Sequence, residues 1–301
     1  MRPPRALRQS QGFRSPLGDR VFDVFNAVLL LALVLITLYP FYYVLMASLS
    51  EPSRMLRHSG VLLAPQGFSL EAYVRVFENS YLRESYRNTV LYTVFGTALN
   101  IVLTCLGAYG LSKHDLVGRT PITLFIVLTM FFSGGLIPNF LLVQSLGLLN
   151  NPLAVILPTA VNTWNLLILR TAFAAIPPSL EESARLEGAN DLIILCRIYI
   201  PLSLPTLAVL VLFYAVGHWN SWFSALIYLN DPHLHPLQLA LRQILIDGST
   251  EGVGAGGDAA EPVAVTLRYA AIVASILPIL LVYPFLQRYF VKGVLVGGVK
   301  E

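Results

Sequence analysis

Charge is scarce in this sequence. Only 12% of its 301 residues are Asp, Glu, Lys or Arg, whereas about 25% is usual in soluble domains. Apolar residues make up 55%. With so few charged side chains the chain cannot cover the surface of a soluble globule, so lipid is its expected solvent.

Cysteine and basic runs are equally scarce. The two cysteines, Cys105 and Cys196, lie far apart, which argues against a disulfide framework or a cysteine metal motif. We expect both to fill small apolar gaps. The net charge is only +3 and no Lys/Arg-rich run favours nucleic acid. His233 and His235 have no further ligand nearby, so we predict a solvated loop there and no metal site.

Long uncharged runs are abundant instead. A helix that crosses a bilayer needs about 20 mostly apolar residues, and we predict an all-α membrane protein with six transmembrane helices. The predicted spans are 24–49, 88–112, 121–143, 152–173, 198–230 and 269–287. The first span is too long for the apolar part of a signal peptide, and no clean cleavage site follows it, so we predict a retained anchor.

The Lys and Arg residues predict the orientation. If the N-terminus is inside, 13 of them fall on the inner side and six on the outer side, so both termini are expected in the cytoplasm. A single domain of transmembrane helices, 24–290, would lie between an N-terminal tail, 1–23, and a C-terminal tail, 291–301. Its outer loop, 231–262, contains the flexible stretch "GSTEGVGAGG".

A charged segment, "EESARLEGAN", interrupts the apolar pattern on the cytoplasmic side. Ser179 followed by Glu182 predicts a capping box, after two prolines that stop the preceding chain. Gly188 predicts a left-handed helix end, and Asn190 predicts the cap of a second helix that ends before Pro201. Such a short amphipathic helix outside the membrane is suited to filling a groove on a partner.

Catalysis by this segment is not favoured. Glu181 and Glu182 are adjacent, so on a helix their side chains point about 100° apart. Acidic residues in a first helical turn also stabilise the helix dipole. No nucleophile or metal ligand stands beside them, and the adjacent glutamates are better explained by helix formation.

The same segment resembles the "EAA" loop of membrane subunits of ABC importers, which reads E-A-A-x3-G-x9-I-x-L-P. The chain departs from that pattern mildly, at Ser183 and Ile200. The stretches "FFSGGLIPNFLLVQSLGLLNN", "WNSWFSALIYLND" and "YPFLQRYFVKGVLVGGVK" resemble the carbohydrate-uptake branch, in particular permeases of the maltose-transporter type that import oligosaccharides from complex polysaccharides. By this resemblance, the residues expected to couple the chain to an ATPase are Glu182, Ser183, Ala184, Glu187, Gly188, Ile198 and Pro201.

The resemblance implies a function and a set of partners. It implies a type I ABC importer permease in the bacterial inner membrane, whose cytoplasmic coupling helix, within the coupling loop 177–200, docks on an ATPase subunit. Expected partners are a second permease, two ATPase subunits, an extracytoplasmic binding protein and an oligosaccharide. ATP and Mg would be bound by the ATPase subunits. Indeed, "GVLVGGVK" at Gly293–Lys300 departs from a P-loop, and we expect no cofactor and no catalytic residue in this chain.

Candidate sugar contacts come from amides beside aromatic rings. Such pairs suit sugars, which offer apolar faces ringed by hydroxyls, although tryptophan is also common at membrane interfaces. Arg268 opens the last span; it either snorkels to headgroups or lines the path and attracts an acidic sugar. The candidate path residues are Trp164, Asn165, Trp219, Asn220, Trp222 and Arg268.

Two other classes of membrane protein fit the sequence less well. A secondary transporter or channel without ATP coupling should carry paired ionisable residues within its spans, but the central spans here are nearly free of charge. An intramembrane enzyme would need an acid, nucleophile or metal constellation, and none is recognisable.

Overall fold

The computed structural model describes residues 17–246 and 265–281, which form a helical bundle. The α-helices are α1 (Leu17–Ser48), α2 (Pro52–Arg57), α3 (Glu71–Glu78), α4 (Ser80–Ser112), α5 (Arg119–Phe131), α6 (Leu136–Ser145), α7 (Leu153–Ile156), α8 (Thr163–Ala174), α9 (Pro178–Leu186), α10 (Asp191–Ile194), α11 (Ile200–Leu202), α12 (Leu204–Trp219), α13 (Phe223–Tyr228), α14 (Leu237–Ile246) and α15 (Val265–Leu281). Two 3₁₀ turns, Leu157–Thr159 and Pro232–Leu234, and a π-helical turn, Leu195–Tyr199, complete the described part.

Long apolar helices and bent pairs of helices account for the predicted spans. In the described residues, α1 and α4 are each long and apolar enough to cross a membrane, and three bent pairs bring the number to as many as five. The apolar helix α15 begins at Val265, before the predicted start of the sixth span at 269. Residues 1–16 and those beyond 281, which include the predicted C-terminal tail, lie outside the described part. The six-span count therefore stays a prediction.

The third predicted span is not one straight helix. α5 and α6 meet at an angle of 114° across residues 132–135. Gly135 adopts a φ of +86°, a conformation that is cheap for glycine alone. The prediction of 121–143 as one uninterrupted apolar helix was wrong. Hydropathy depends only on the side chains, so it does not reveal this turn of the backbone.

The fifth predicted span is also interrupted, and at both of its ends. The chain bends at Ser203, between Pro201 and Pro205, where the helical segment Asp191–Leu202 meets α12 at 88°. α12 then ends at Trp219, and a short non-helical stretch separates it from α13. The uncharged run 198–230 is thus three helical pieces rather than one.

α4 is the central helix and packs against α8 and α12. Polar side chains join these helices inside the bundle: the buried Asn100 amide donates to the carbonyls of Thr159 and Ala160, at 2.6 and 2.9 Å, and its oxygen lies 2.6 Å from His218 Nε2. Gly96 leaves the space that His218 occupies, since a Cβ there would come within 2.6 Å of its ring. These contacts fix α12 against α4 close to the break between α7 and α8.

The two cysteines differ in burial. Cys105 is buried in the core around α4, as predicted, but Cys196 is exposed and both are free thiols. The expectation that Cys196 fills an apolar gap was wrong, because it lies on the outward face of the π-helical turn.

The end of the bundle opposite α9 is closed by short elements. α3, α14 and the first turns of α15 share a core that includes Val76, Leu241, Ile244 and Leu267. α1, by contrast, is exposed along nearly all its length, and its large apolar side chains face away from the chain. A surface of that kind requires lipid or another membrane subunit.

Candidate functional site

The charged segment forms helix α9, as predicted, but it begins differently. Pro178 is the first helical residue, where its fixed φ and missing N–H cost nothing. Pro177 caps the helix without a side-chain hydrogen bond. The predicted capping box between Ser179 and Glu182 was therefore wrong: Ser179 lies inside the first turn, where it cannot cap.

The end of α9 and the start of α10 were predicted correctly. Gly188 has a φ of +84°, and the amides of Gly188 and Ala189 donate to the carbonyls of Arg185 and Ala184, both at 3.0 Å. This pair of bonds is a Schellman motif. Asn190 then accepts a hydrogen bond from the Ile193 amide at 2.9 Å and caps α10.

Glu181 joins α9 to the bundle through a group of side chains that we call the anchor cluster, namely Lys113, Glu181, Arg185, Asp191 and Tyr199. The Tyr199 hydroxyl donates to Glu181 at 2.6 Å, Arg185 Nη2 donates to its other oxygen at 2.9 Å, and Lys113 forms an ion pair with it. Arg185 also pairs with Asp191. Since Lys113 directly follows α4 and Tyr199 ends the π-helical turn, the cluster ties four segments together.

The anchor cluster holds Glu181 ionised. Burial opposes the charge on this carboxylate, but hydrogen bonds from Lys113, Tyr199 and Arg185 outweigh that effect and lower its pKa to about 2. The Lys113 ammonium also lies 3.9 Å from the ring centroid of Tyr109 and 4.6 Å from that of Tyr199, which adds a cation–π attraction.

The opposite face of α9 is open. Glu182, Ser183 and Glu187 are exposed, and 90% of Leu186 is accessible. Ala184, in contrast, packs against the core of the bundle. α9 is thus fixed on one side and presents an apolar residue flanked by carboxylates on the other.

The remaining positions of the coupling loop lie in or next to the π-helical turn. Ile198 is partly buried against the core, and Pro201 is exposed at the second position of α11. The prediction that the second helix ends before Pro201 was wrong, because the helical segment continues to Leu202. π-helical turns occur mostly within α-helices and frequently at functional sites. No feature of the sequence predicted this turn.

The anchor cluster thus holds α9 against an apolar helical bundle. The sequence profile of a family described as "Binding-protein-dependent transport system inner membrane component" matches residues 8–296. The chain belongs to this family. Its fold is the type I ABC permease fold, mostly helical in the described residues.

Relatives of known sequence and structure support the assignment to this family. The chain is 45% identical to the Bacillus subtilis "Polygalacturonan/rhamnogalacturonan transport system permease protein YtcP", over 94% of the chain and 100% of that protein. It is 41% identical to "Protein LplC" of the same organism, over 94% and 96%. A crystal structure of a bacterial ABC transporter involved in the import of the acidic polysaccharide alginate contains a chain with 37% identity and a TM-score of 0.85, over 91% of this chain and 98% of that one.

The candidate sugar contacts of this permease fall into two groups. Asn165 and Trp219 are buried, at 5% and 7% exposure, and the Trp219 indole donates to the Ser275 carbonyl at 3.2 Å. Trp164, Asn220 and Trp222 are exposed. Of the exposed group, Asn220 and Trp222 line a cavity.

Arg268 lies in the first turn of α15 and is partly exposed. Its Nε is buried and has no hydrogen-bond partner within the described residues. That position is compatible with both roles considered for it, so each remains a prediction.

The loop histidines have local structural partners. His233 Nδ1 lies 2.7 Å from a Glu84 carboxylate oxygen, and the His235 ring lies 2.9 Å from the Tyr81 hydroxyl. No group of three His, Cys, Asp or Glu side chains with the geometry to hold a metal occurs in the described residues. The solvated-loop prediction was wrong for His235, which is buried because the 3₁₀ turn folds it against α4.

Sequence reasoning missed the anchor cluster. Glu181 was interpreted only as a dipole partner, although Arg185 stands four residues later on the same helical face. That spacing could have indicated the local pair. The contacts with Lys113 and Tyr199 could not be predicted, because they join positions 68 and 18 residues away.

Proposed function

We propose that this permease is one membrane subunit of an ATP-driven oligosaccharide importer and that α9 is its coupling helix. The observation that carries the proposal is the two-sided α9: one face is fixed by the anchor cluster, and the other is exposed with Leu186 at its centre. A partner that binds the exposed face can move α9, and the ion pairs pass that movement to α4 and the π-helical turn.

The partners follow from this mechanism. Two ATPase subunits bind ATP and Mg and hydrolyse the ATP, so this chain needs no ATPase site, cofactor or catalytic residue of its own. A second permease completes the translocation path and covers apolar surface such as that of α1. A binding protein, the partner after which the family is described, delivers the sugar from outside. ATP binding closes the ATPase dimer, α9 moves, and the spans open outward.

The topology belongs to the same proposal. Both termini and the coupling loop 177–200 lie in the cytoplasm, six spans cross the inner membrane between 24 and 290, and the loop 231–262 faces outward. The positive-inside bias of the sequence supports this orientation. Glu182, Ala184 and Gly188 define the docking helix, and Ile198 and Pro201 define its return to the membrane.

The proposed substrate is an acidic oligosaccharide. Polygalacturonan and alginate, named for two of the relatives, are polymers of uronic acids. Asn220 and Trp222, both exposed beyond the end of α12, are the proposed contacts in this subunit, and Trp164 is a third. Asn165 and Trp219 support the path from within the bundle.

Uptake by purified components tests this function. The complex is reconstituted in liposomes with the binding protein outside and ATP inside, and accumulation of labelled tri-galacturonate is followed. We expect accumulation that needs both ATP and the binding protein and that persists when ionophores collapse all ion gradients. Accumulation that follows an ion gradient without ATP would instead support a secondary transporter.

A further inference from the structure

A cavity opens at the end of α12 that the charge bias assigns to the outside. Its polar lining is Asn220, Trp222, Gln238, Arg242 and Ser275, and its apolar lining is Leu241, Leu245, Ile272 and Ile276. The walls come from α14, α15 and the non-helical stretch after α12. The cavity therefore has one aromatic ring, two amides and one cation around a partly apolar floor.

Arg242 lies over the ring of Trp222. The central guanidinium carbon is 5.0 Å from the ring centroid, a cation–π contact that holds the side chain in place. Gln238 stands one helical turn before it on α14, so both side chains lie on the same face.

The Arg242 charge has no counter-ion in the part of the chain that the structure describes. Among those residues Arg242 forms neither a salt bridge nor a hydrogen bond, as is also true of Arg57 and Arg83, but Arg242 differs from them in its contact with the Trp222 ring at the cavity. Its donors are therefore not used by the described residues. A planar guanidinium binds a carboxylate through two parallel hydrogen bonds.

The floor of the cavity is fixed on both sides. The Trp219 indole donates to the Ser275 carbonyl and joins the end of α12 to α15. Gln243, next to Arg242, accepts a hydrogen bond from the Tyr81 hydroxyl of α4. Because α12, α14 and α15 are held in this way, Trp222 and Arg242 keep their relative positions before any ligand arrives, which lowers the entropic cost of binding.

We propose that this cavity is a binding subsite for one uronate unit of an acidic oligosaccharide. Arg242 takes the carboxylate through its two terminal nitrogens, Trp222 packs on the apolar face of the sugar ring, and Asn220 and Gln238 bind hydroxyl groups. The subsite discriminates an acidic sugar from a neutral one of the same size. This inference rests on the proposed function, because it assigns part of the substrate path to named residues.

Equilibrium binding to the complex tests the subsite without the binding protein. The complex is held in its ATP-bound state with an inactive ATPase, and labelled tri-galacturonate is compared with its neutral methyl ester. The variants are Arg242→Gln, Arg242→Lys and Trp222→Ala. Arg75→Gln is the control, since Arg75 is partly exposed and pairs with Glu71 at 2.7 Å on another helix, α3.

The subsite predicts tighter binding of the acid than of the ester by the wild type. Arg242→Gln should weaken binding of the acid on the order of 10- to 100-fold, the loss expected for hydrogen bonds to a charged group, and leave the ester unchanged. The affinity of Arg242→Lys for the acid should lie between those of the wild type and Arg242→Gln, because lysine keeps the charge but lacks the planar pair of donors. Trp222→Ala should weaken the binding of both ligands, and Arg75→Gln should weaken the binding of neither.

Other outcomes overturn the subsite. These are equal affinities for acid and ester in the wild type, an Arg242→Gln complex that binds the acid normally, or no binding of either ligand. The uptake experiment distinguishes failure of the subsite from failure of the proposed function. If Arg242→Gln keeps ATP-driven uptake and the same preference for the acid over the ester, the subsite alone is refuted. If uptake by the wild type does not depend on ATP, the proposed importer function is refuted.

Discussion

Two adjacent glutamates in α9 have different environments. The Glu181 side chain is only 15% exposed and accepts hydrogen bonds from three residues, whereas Glu182 is exposed. The helical rotation of about 100° between neighbours explains the difference. Glu181 therefore attaches α9 to the rest of the bundle. Glu182, which matches the coupling-loop pattern, lies on the surface that we propose binds the ATPase subunit.

The substitution Glu181→Gln should destabilise the permease. It leaves Lys113 partly buried without a counter-charge, and loss of such a partner costs about 2 kcal/mol. Thermal unfolding of the complex in detergent should show a lower midpoint. Glu182→Gln is the matched control and should leave the midpoint unchanged while reducing stimulated ATPase activity. Equal midpoints for both variants would contradict the anchor cluster.

The same cluster predicts how stability depends on pH. The pKa of Glu181 falls from its ordinary value of 4.5 to about 2 in the fold. A lowered pKa stabilises the fold fully above the ordinary value, and this contribution is lost as the pH falls through the folded value. The difference in unfolding midpoint between wild type and Glu181→Gln should be constant from pH 6 to pH 8 and shrink below about pH 4.5. A difference that varies between pH 6 and pH 8 would contradict the assignment.

At the scale of elements, the contact of α4 with α12 depends on close packing. A Cβ on Gly96 would meet the His218 ring, which itself lies 2.6 Å from Asn100. Gly110, on the same helix, has none of the described residues within 4 Å of such a Cβ. The same substitution, glycine to alanine, can thus be compared at a crowded and at an open position of one helix.

Gly96→Ala should lower the unfolding midpoint, because overpacking of this kind costs about 1–3 kcal/mol and displaces His218 from Asn100. Gly110→Ala should leave it unchanged or raise it slightly, since alanine favours a helix more than glycine does. Thermal unfolding of the two variants in the same detergent makes the comparison. If they unfold at the same temperature, the close approach of α4 and α12 is not a determinant of stability.

The exposed face of α9 predicts where the ATPase subunit docks. Leu186→Ser removes the apolar side chain at the centre of that face and should reduce the amount of ATPase that copurifies with the permease. Val117→Ser is the control, because Val117 is 92% exposed but lies in the loop between α4 and α5. Equal loss of ATPase in both variants would show that α9 is not the specific docking element.

For the molecule as a whole, the sequence predicted elements better than it predicted their interruptions. Local rules sufficed for the apolar helices, for the turn at Gly188 that follows α9 and for the cap at Asn190, and the structure has all three. The capping box failed because two candidate start signals, Ser179 and Pro178, compete within two residues, and the proline prevailed.

What the sequence could not predict depends on distant contacts or on backbone geometry. The anchor cluster joins Lys113 to Glu181, and the cavity joins Trp222 to Arg242. The break between α5 and α6 and the π-helical turn at Leu195–Tyr199 change the backbone without changing hydropathy. Long uncharged runs thus predict membrane segments but not whether each forms one helix.

If α9 couples ATP hydrolysis to sugar movement, substitutions at two matched glycines should have different effects. Gly188 and Gly147 both end helices in Schellman motifs, with φ of +84° and +69°, and a Cβ on either would have no neighbour within 4 Å among the residues that the structure describes. Valine at either position carries a similar backbone strain, of about 1–2 kcal/mol, but only Gly188 lies in the coupling loop.

The measurement is the number of sugar molecules imported per ATP hydrolysed in proteoliposomes containing wild type, Gly188→Val or Gly147→Val at equal amounts of assembled complex. We expect Gly188→Val to lower this ratio at least about 10-fold, the effect of roughly 1.4 kcal/mol, and Gly147→Val to retain it. A Gly188→Val complex with the wild-type ratio would show that α9 does not couple ATP hydrolysis to transport.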